Sequence, residues 1–254
     1  MKHFLICCFM LCTLSLCAQQ RFNFNLSDIA KIQDNRPCQV IVHEGYTVGY
    51  NTQLCIPNWV AYEITSTETQ GQIPRKGHDY FTTDPLAQGP IVSYYDYSGS
   101  GYDRGHMAPA GDMKWSVKAM EESFYMSNMC PQNGNLNGGD WRILEEKVRS
   151  WASQYGSLYV VCGPIVSKSH ETIANGKIAV PDAFFKVIIR KTKGGAEAIG
   201  FIYKNEAGHH SMSSYAMSVD SVERVTNMDF FNKLPKSVES SAEANFSLSA
   251  WGLK

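Results

Sequence analysis

Basic excess is missing from this 254-residue chain: 23 lysines and arginines face 24 aspartates and glutamates, for a net charge of −1. That excludes a protein held on a polyanion by its overall charge, so any hold on phosphate must come from local clustering. Long apolar runs are missing beyond residue 18, which excludes a stable membrane span in the rest of the chain. Low-complexity linkers and internal repeats are missing too, so about 235 residues of ordinary apolar content form one domain large enough for a real core. Cysteine is sparse there as well: of eight, only Cys38, Cys55, Cys130 and Cys162 lie past position 17.

What the chain does have begins at its start. Lys2 precedes an apolar stretch, Phe4 to Ala18, too short to cross a bilayer and ordered like a secretory signal. The expectation is a signal peptide over residues 1–18, a single domain over 19–254, and a secreted or periplasmic protein with 22 basic and 24 acidic residues. Lipid anchoring through Cys17 is the lesser alternative, because Leu16 stands where such signals carry glycine or alanine. Export permits disulfides, and Cys38 and Cys55, which flank a hairpin over residues 39–50, are the best pair. Cys162 reads as a small apolar residue of a buried strand, and Cys130 as a buried neutral thiol.

Apolar runs predict strands at 39–50, 59–64, 158–163, 183–190 and 198–203. Helices are expected at 116–123, from about Gly138 onward with Asp140 as N-cap, and at 218–226. The second of these places Trp141, Leu144, Val148 and Trp151 on one apolar side. Strands mostly segregated from a few helices indicate an α+β domain with an antiparallel central sheet flanked by helices.

The densest chemistry lies in Tyr102-Asp103-Arg104-Gly105-His106 and the residues that follow it, Ser127-Asn128-Met129-Cys130-Pro131-Gln132, Asn137 and Glu145. If 103–106 is extended, Arg104 and His106 project to one face, a phosphate clamp beside a base. Asn137, Trp141 and Glu145 are spaced four and four along one helix side, so a carboxamide and a carboxylate face the same region. Magnesium keeps most of its waters, so one direct asparagine oxygen with Glu145 holding a water is a sufficient site. Asp103 reads as structural, bonding nearby backbone. Eight cations, Arg75, Lys76, Arg104, Lys114, Lys118, Arg142, Lys147 and Arg149, share this half of the chain, although a solvated surface accounts for several equally well.

These motifs, together with Trp59-Val60-Ala61-Tyr62-Glu63-Ile64, Phe81-Thr82-Thr83-Asp84, Leu136-Asn137, Leu144-Glu145 and Gly163-Pro164, resemble the sugar-nonspecific DNA/RNA endonucleases, the ββα-metal nucleases, and within them the endonuclease G branch. The resemblance covers most of the chain after the leader. It implies His106 as general base, Asn137 as direct metal ligand, and Glu145 as holder of a metal water. Arg104 and Arg75 would contact phosphate, with Lys76 the alternative to Arg75, and Asn128 would order the site around the histidine and substrate. The implied cofactor is Mg²⁺, with Mn²⁺ as a substitute; the implied partners are DNA and RNA, and a homodimer and a protein inhibitor are compatible with the family. Cleavage would leave 5′-phosphates with little sequence preference. Two other readings remain open: a non-catalytic nucleic-acid-binding relative, and a structural or adhesive exported domain.

Overall fold

The computed structural model describes residues 22–254; the leader expected over residues 1–18 lies outside them. The strands are β1 (Ala30–Ile32), β2 (Gln39–Val42), β3 (Thr47–Asn51), β4 (Ile56–Thr65), β5 (Asp103–His106), β6 (Met129–Gln132), β7 (Ser157–Ile165), β8 (Thr172–Ile173), β9 (Ile178–Ala179), β10 (Ala183–Thr192), β11 (Gly195–Lys204), β12 (Ala216–Met217) and β13 (Met228–Phe230). The helices are α1 (Val117–Glu122), α2 (Gly134–Leu136), α3 (Arg142–Tyr155), α4 (Met212–Tyr215), α5 (Val219–Thr226) and α6 (Lys236–Ala244).

Seven strands form one antiparallel sheet in the order β12-β11-β10-β7-β4-β3-β2. Its central strands read as unbroken apolar runs because both faces are covered, and the period of two divides each run between them. Val60, Tyr62, Leu158, Val160, Phe184 and Ile188 enter one core, together with Trp141, Leu144, Val148 and Trp151. Trp59, Ala61, Tyr159, Val161, Phe185, Val187 and Ile189 enter the other, together with Val219 and Val222 of α5 and Ala242 of α6. The architecture is α+β, as the pattern of runs predicts. The apolar side expected of the long helix is confirmed, since all four of its named residues are buried.

Two local expectations are corrected. Among the described residues Cys38 and Cys55 are free thiols. Their neighbours Gln39 and Ile56 pair with Tyr50 and Asn51 on opposite edges of β3, so the cysteines flank a whole intervening strand. Two strand spacings are about 9–10 Å, beyond the roughly 7 Å Cα separation a disulfide tolerates. They also face opposite ways: the Cys38 sulfur lies by Gly49 and Trp59, whereas Cys55 belongs to the other core. The second correction concerns Asp140. It caps nothing, because residues 137–141 form a wide turn with Gly139 at φ −109°, ψ −114°, and α3 starts only at Arg142. The Asp140 carboxylate accepts from the Tyr215 hydroxyl at 2.8 Å instead.

Candidate active site

β5 pairs antiparallel with β6, Arg104 opposite Pro131 and His106 opposite Met129. Gly105 faces away from the cleft toward Gln132, whose Oε1 would lie 2.2 Å from any Cβ placed there. Only glycine lets the two strands close at that point. Arg104 and His106 then share the opposite face and line a cleft of about 570 Å³, whose walls also carry Arg75, Asn137 and Glu145. The expected constellation is thus assembled in one place, apart from Asn128.

The His106 ring stands edge-on to Phe124, 4.9 Å between centroids. Its Nε2 has no hydrogen-bond partner among the described residues. Burial first, then the charges of Arg75 and Arg104, pull the imidazole down to about 3. The ring is therefore neutral near pH 7, and as long as no anion offsets the two arginines it resists protonation. Its backbone carbonyl accepts from Trp141 Nε1 at 3.3 Å, which ties β5 to the turn that carries Asn137. Arg104 lies 4.6 Å from the Phe81 ring centroid, with its buried Nε unpartnered among the described residues. Arg75 lies 5.1 Å from the Phe124 centroid and pairs only loosely with Asp79, at 3.9 Å. Of Arg75 and Lys76, it is Arg75 that lines the cleft.

Asn137 Nδ2 donates to Asp103 Oδ2 at 2.9 Å. The carboxylate can receive only the amide nitrogen, so the carboxamide oxygen is left for a cation. Asp103 therefore orients a side chain, where the sequence suggested a bond to nearby backbone. Glu145, in the first turn of α3, is pushed up to about 7 by burial, against the pull of the Lys186 ammonium. Two hard oxygen donors on one wall, one of them held in orientation, suit a divalent cation that keeps most of its waters.

Asn128, expected to order the site around the histidine and substrate, is not among the residues lining the cleft. It is fully buried; its Oδ1 accepts from Ala108 N at 2.9 Å, and its Nδ2 donates to Ala108 O at 2.9 Å and Ser123 O at 2.8 Å. Two of those bonds fix Ala108, two residues after His106, and the third holds Ser123 at the end of α1, so Asn128 braces the backbone beside His106 and does not line the cleft. One residue escaped the sequence reading, and another was named there only among the eight cations. Lys186 of β10 is fully buried, its ammonium 4.4 Å from the Trp141 ring centroid and without a hydrogen bond among the described residues. A lysine inside an otherwise unbroken apolar run was the available signal. Arg149, one helical turn beyond Glu145, lines the cleft and pairs with buried Asp112 at 2.7 Å. Cys130 and Cys162 keep their bland reading, since burial raises both thiols.

Residues 28–237 match the family described as DNA/RNA non-specific endonuclease. The chain belongs to that family. It is 34% identical over 207 residues to "Nuclease EXOG, mitochondrial" of Xenopus laevis, covering 75% of this chain and 58% of that one. It is 31% identical over 205 residues to "Endonuclease G, mitochondrial" of Homo sapiens, covering 76% and 69%. A solved structure titled "Crystal structure of the EndoG/EndoGI complex: Mechanism of EndoG inhibition" superposes with a TM-score of 0.73 at 29% identity, covering 79% of this chain and 89% of that one. The fold is thus the ββα-metal nuclease fold, with β5, β6 and α3 as the ββα unit, and the likeness fits the endonuclease G branch. The chain spans about three-fifths of the length of the EXOG relatives it matches. The expected secreted or periplasmic destination is contradicted, because relatives from animals and yeasts are named as mitochondrial nucleases. A short apolar stretch behind one positive charge is a hydropathy pattern and does not by itself name a compartment.

Proposed function

We propose that this chain is a divalent-metal-dependent endonuclease that hydrolyses phosphodiester bonds in DNA and RNA with little sequence preference, leaving 5′-phosphates. The observation that carries the reading is the neutral, unpartnered His106 Nε2 beside Arg104, in the same cleft as the oriented carboxamide of Asn137. His106 removes a proton from water as the water oxygen bonds to phosphorus. The bond from phosphorus to the 3′-oxygen breaks, that oxygen takes a proton from solvent water and leaves as a hydroxyl, and the proton held by His106 returns to solvent. Arg104 and Arg75 hold non-bridging oxygens and remain charged throughout. Asn137 directly and Glu145 through a water would hold Mg²⁺, with Mn²⁺ as a substitute. When bound, such an ion supplies positive charge to the phosphate and to the departing oxygen. Lys186 and Arg149 favour the charged form of the Glu145 carboxyl and Asp112 opposes it.

Contacts confined to phosphate and sugar read no bases, which accounts for broad substrate range. Control by a protein inhibitor is part of the proposal, since the superposed structure is of a relative with its inhibitor. The test is incubation with closed circular plasmid and with structured RNA, with Mg²⁺ or with a chelator. Nicking and shortening of both substrates only with the metal is expected; turnover in chelator, or none with metal, rejects the reading.

A further inference from the structure

The turn that carries Asn137 contains two glycines, Gly138 and Gly139, with nothing within 4 Å of where a side chain would stand. The bond from Asn137 Nδ2 to Asp103 aims the carboxamide but does not hold the backbone beneath it. Residues 205–215, which connect β11 to β12, grip that backbone on both sides. Before the turn, Asn205 Oδ1 accepts from Asn133 N at 2.7 Å while its Nδ2 donates to Pro131 O of β6 at 3.1 Å. Within the turn, buried Asp140 accepts through Oδ2 from the Tyr215 hydroxyl at 2.8 Å and from His210 N at 3.3 Å, and His209 Nδ1 lies 3.3 Å from its Oδ1. The Tyr215 ring packs 4.0 Å from that of Tyr203, which stands edge-on to Trp141 at 6.1 Å. Tyr203 belongs to β11, so the sheet itself aims the hydroxyl.

A carboxylate is buried without a large penalty only where donors meet it. Burial of Asp140 therefore fixes an otherwise open turn at the one place where the hydroxyl stands. Neither Asp140 nor Tyr215 lines the cleft, so neither can touch the cation or the substrate. We propose that residues 205–215 are a strap that preorganises the Asn137 turn for its cation, with Asp140 and Tyr215 as positioning residues that set metal affinity. Without their bond the turn has to be ordered when the cation binds, and that conformational entropy is subtracted from the affinity. The chemical step is untouched, because His106 and the arginines sit on other elements. This inference rests on the reading of Asn137 as a metal ligand, and it adds to that reading the contacts that keep the ligand in place.

The experiment compares the full chain with Tyr215→Phe, Asp140→Ala, Asp140→Asn and, as a reference, Asn137→Ala. Electron paramagnetic resonance of free Mn²⁺ reads cation binding directly. Mg²⁺ titration of plasmid cleavage reads the half-saturating concentration and the plateau rate, and thermal melts in chelator read folding. Tyr215→Phe and Asp140→Ala should weaken Mn²⁺ binding and raise the half-saturating Mg²⁺ by about tenfold, the low end of the loss when a metal ligand's support is removed. Both should reach the parent's plateau rate at high Mg²⁺. Asp140→Asn keeps an oxygen for the hydroxyl and should bind Mn²⁺ like the parent. Tyr215→Phe removes a single oxygen atom, so it carries the test where Asp140→Ala does not fold. A lower melting temperature in chelator with unchanged Mn²⁺ affinity makes the strap mere scaffolding and overturns the proposal. Asp140→Asn as weak as Asp140→Ala also overturns it, since that assigns the effect to charge and not to the bond. Loss of Mn²⁺ by Asn137→Ala with full retention by Tyr215→Phe overturns the strap alone; parent-like Mn²⁺ binding by Asn137→Ala overturns the ligand reading and the strap with it.

Discussion

His106 and Asn137 line the same cleft, yet the chemistry asks different things of them. One handles a proton and the other positions a cation, so their loss should be separable. His106→Ala should leave Mg²⁺ affinity nearly unchanged and lower turnover by on the order of 10² to 10⁴, the usual worth of a placed general base. Asn137→Ala should lower activity together with metal affinity and recover in part at high Mg²⁺. Parallel Mg²⁺ titrations of the two variants decide it: metal rescue of the histidine variant and not of the asparagine variant would invert the assignment. Gly105 is a different case at the same scale. Gly105→Ala would drive a methyl group into Gln132, costing about 1–3 kcal/mol by overpacking. A lowered melting temperature with reduced activity is expected, and a variant as stable as the parent would show that β5 and β6 can separate freely.

At the scale of elements, α5 and α6 pack on the sheet face away from the cleft with five acids gathered between them and β13: Asp220, Glu223, Asp229, Glu239 and Glu243. Burial first, then the neighbouring carboxylates, pushes Glu243 up to about 9. Burial likewise pushes Glu223 up to about 7, against a hydrogen bond from Phe230 N. Both values lie above the ordinary range near 4.3, so the folded state binds more protons than the unfolded one between these limits. Their contribution to stability is full below about pH 4 and is lost as pH rises through 7 and 9. Thermal melts should therefore show a falling midpoint from pH 5 to pH 9, and Glu243→Gln should flatten that slope and raise the midpoint at pH 9. A variant whose profile overlays the parent's would contradict the account.

For the whole molecule, the relevant quantity is where charge sits and not its sum. The chain is slightly acidic, yet Arg75, Arg104, Lys114, Arg142 and Arg149 line the cleft against only Asp103 and Glu145. Binding carried by two phosphate-clamping arginines should lose roughly tenfold between about 50 and 200 mM salt. Plasmid cleavage at sub-saturating substrate should follow that trend and give a smear of products. A few recurrent cut sites at low salt would argue for base reading instead.

The sequence by itself determined the sheet strands, the apolar side of α3, the β5 motif and the family, because each is written in local periodicity or in a contiguous string. Apolar runs specify strands whichever partners they find, and two-residue spacing puts Arg104 and His106 on one face in any extended segment. Tertiary structure decided the rest. That Asp103 turns the Asn137 carboxamide, that Lys186 comes up beneath Trp141, and that Asn128 is consumed by backbone all depend on contacts across many residues of chain. No spacing rule encodes them. The Cys38–Cys55 pairing failed for the same reason: proximity along a hairpin says nothing about which strand comes between the two ends or which face each thiol takes.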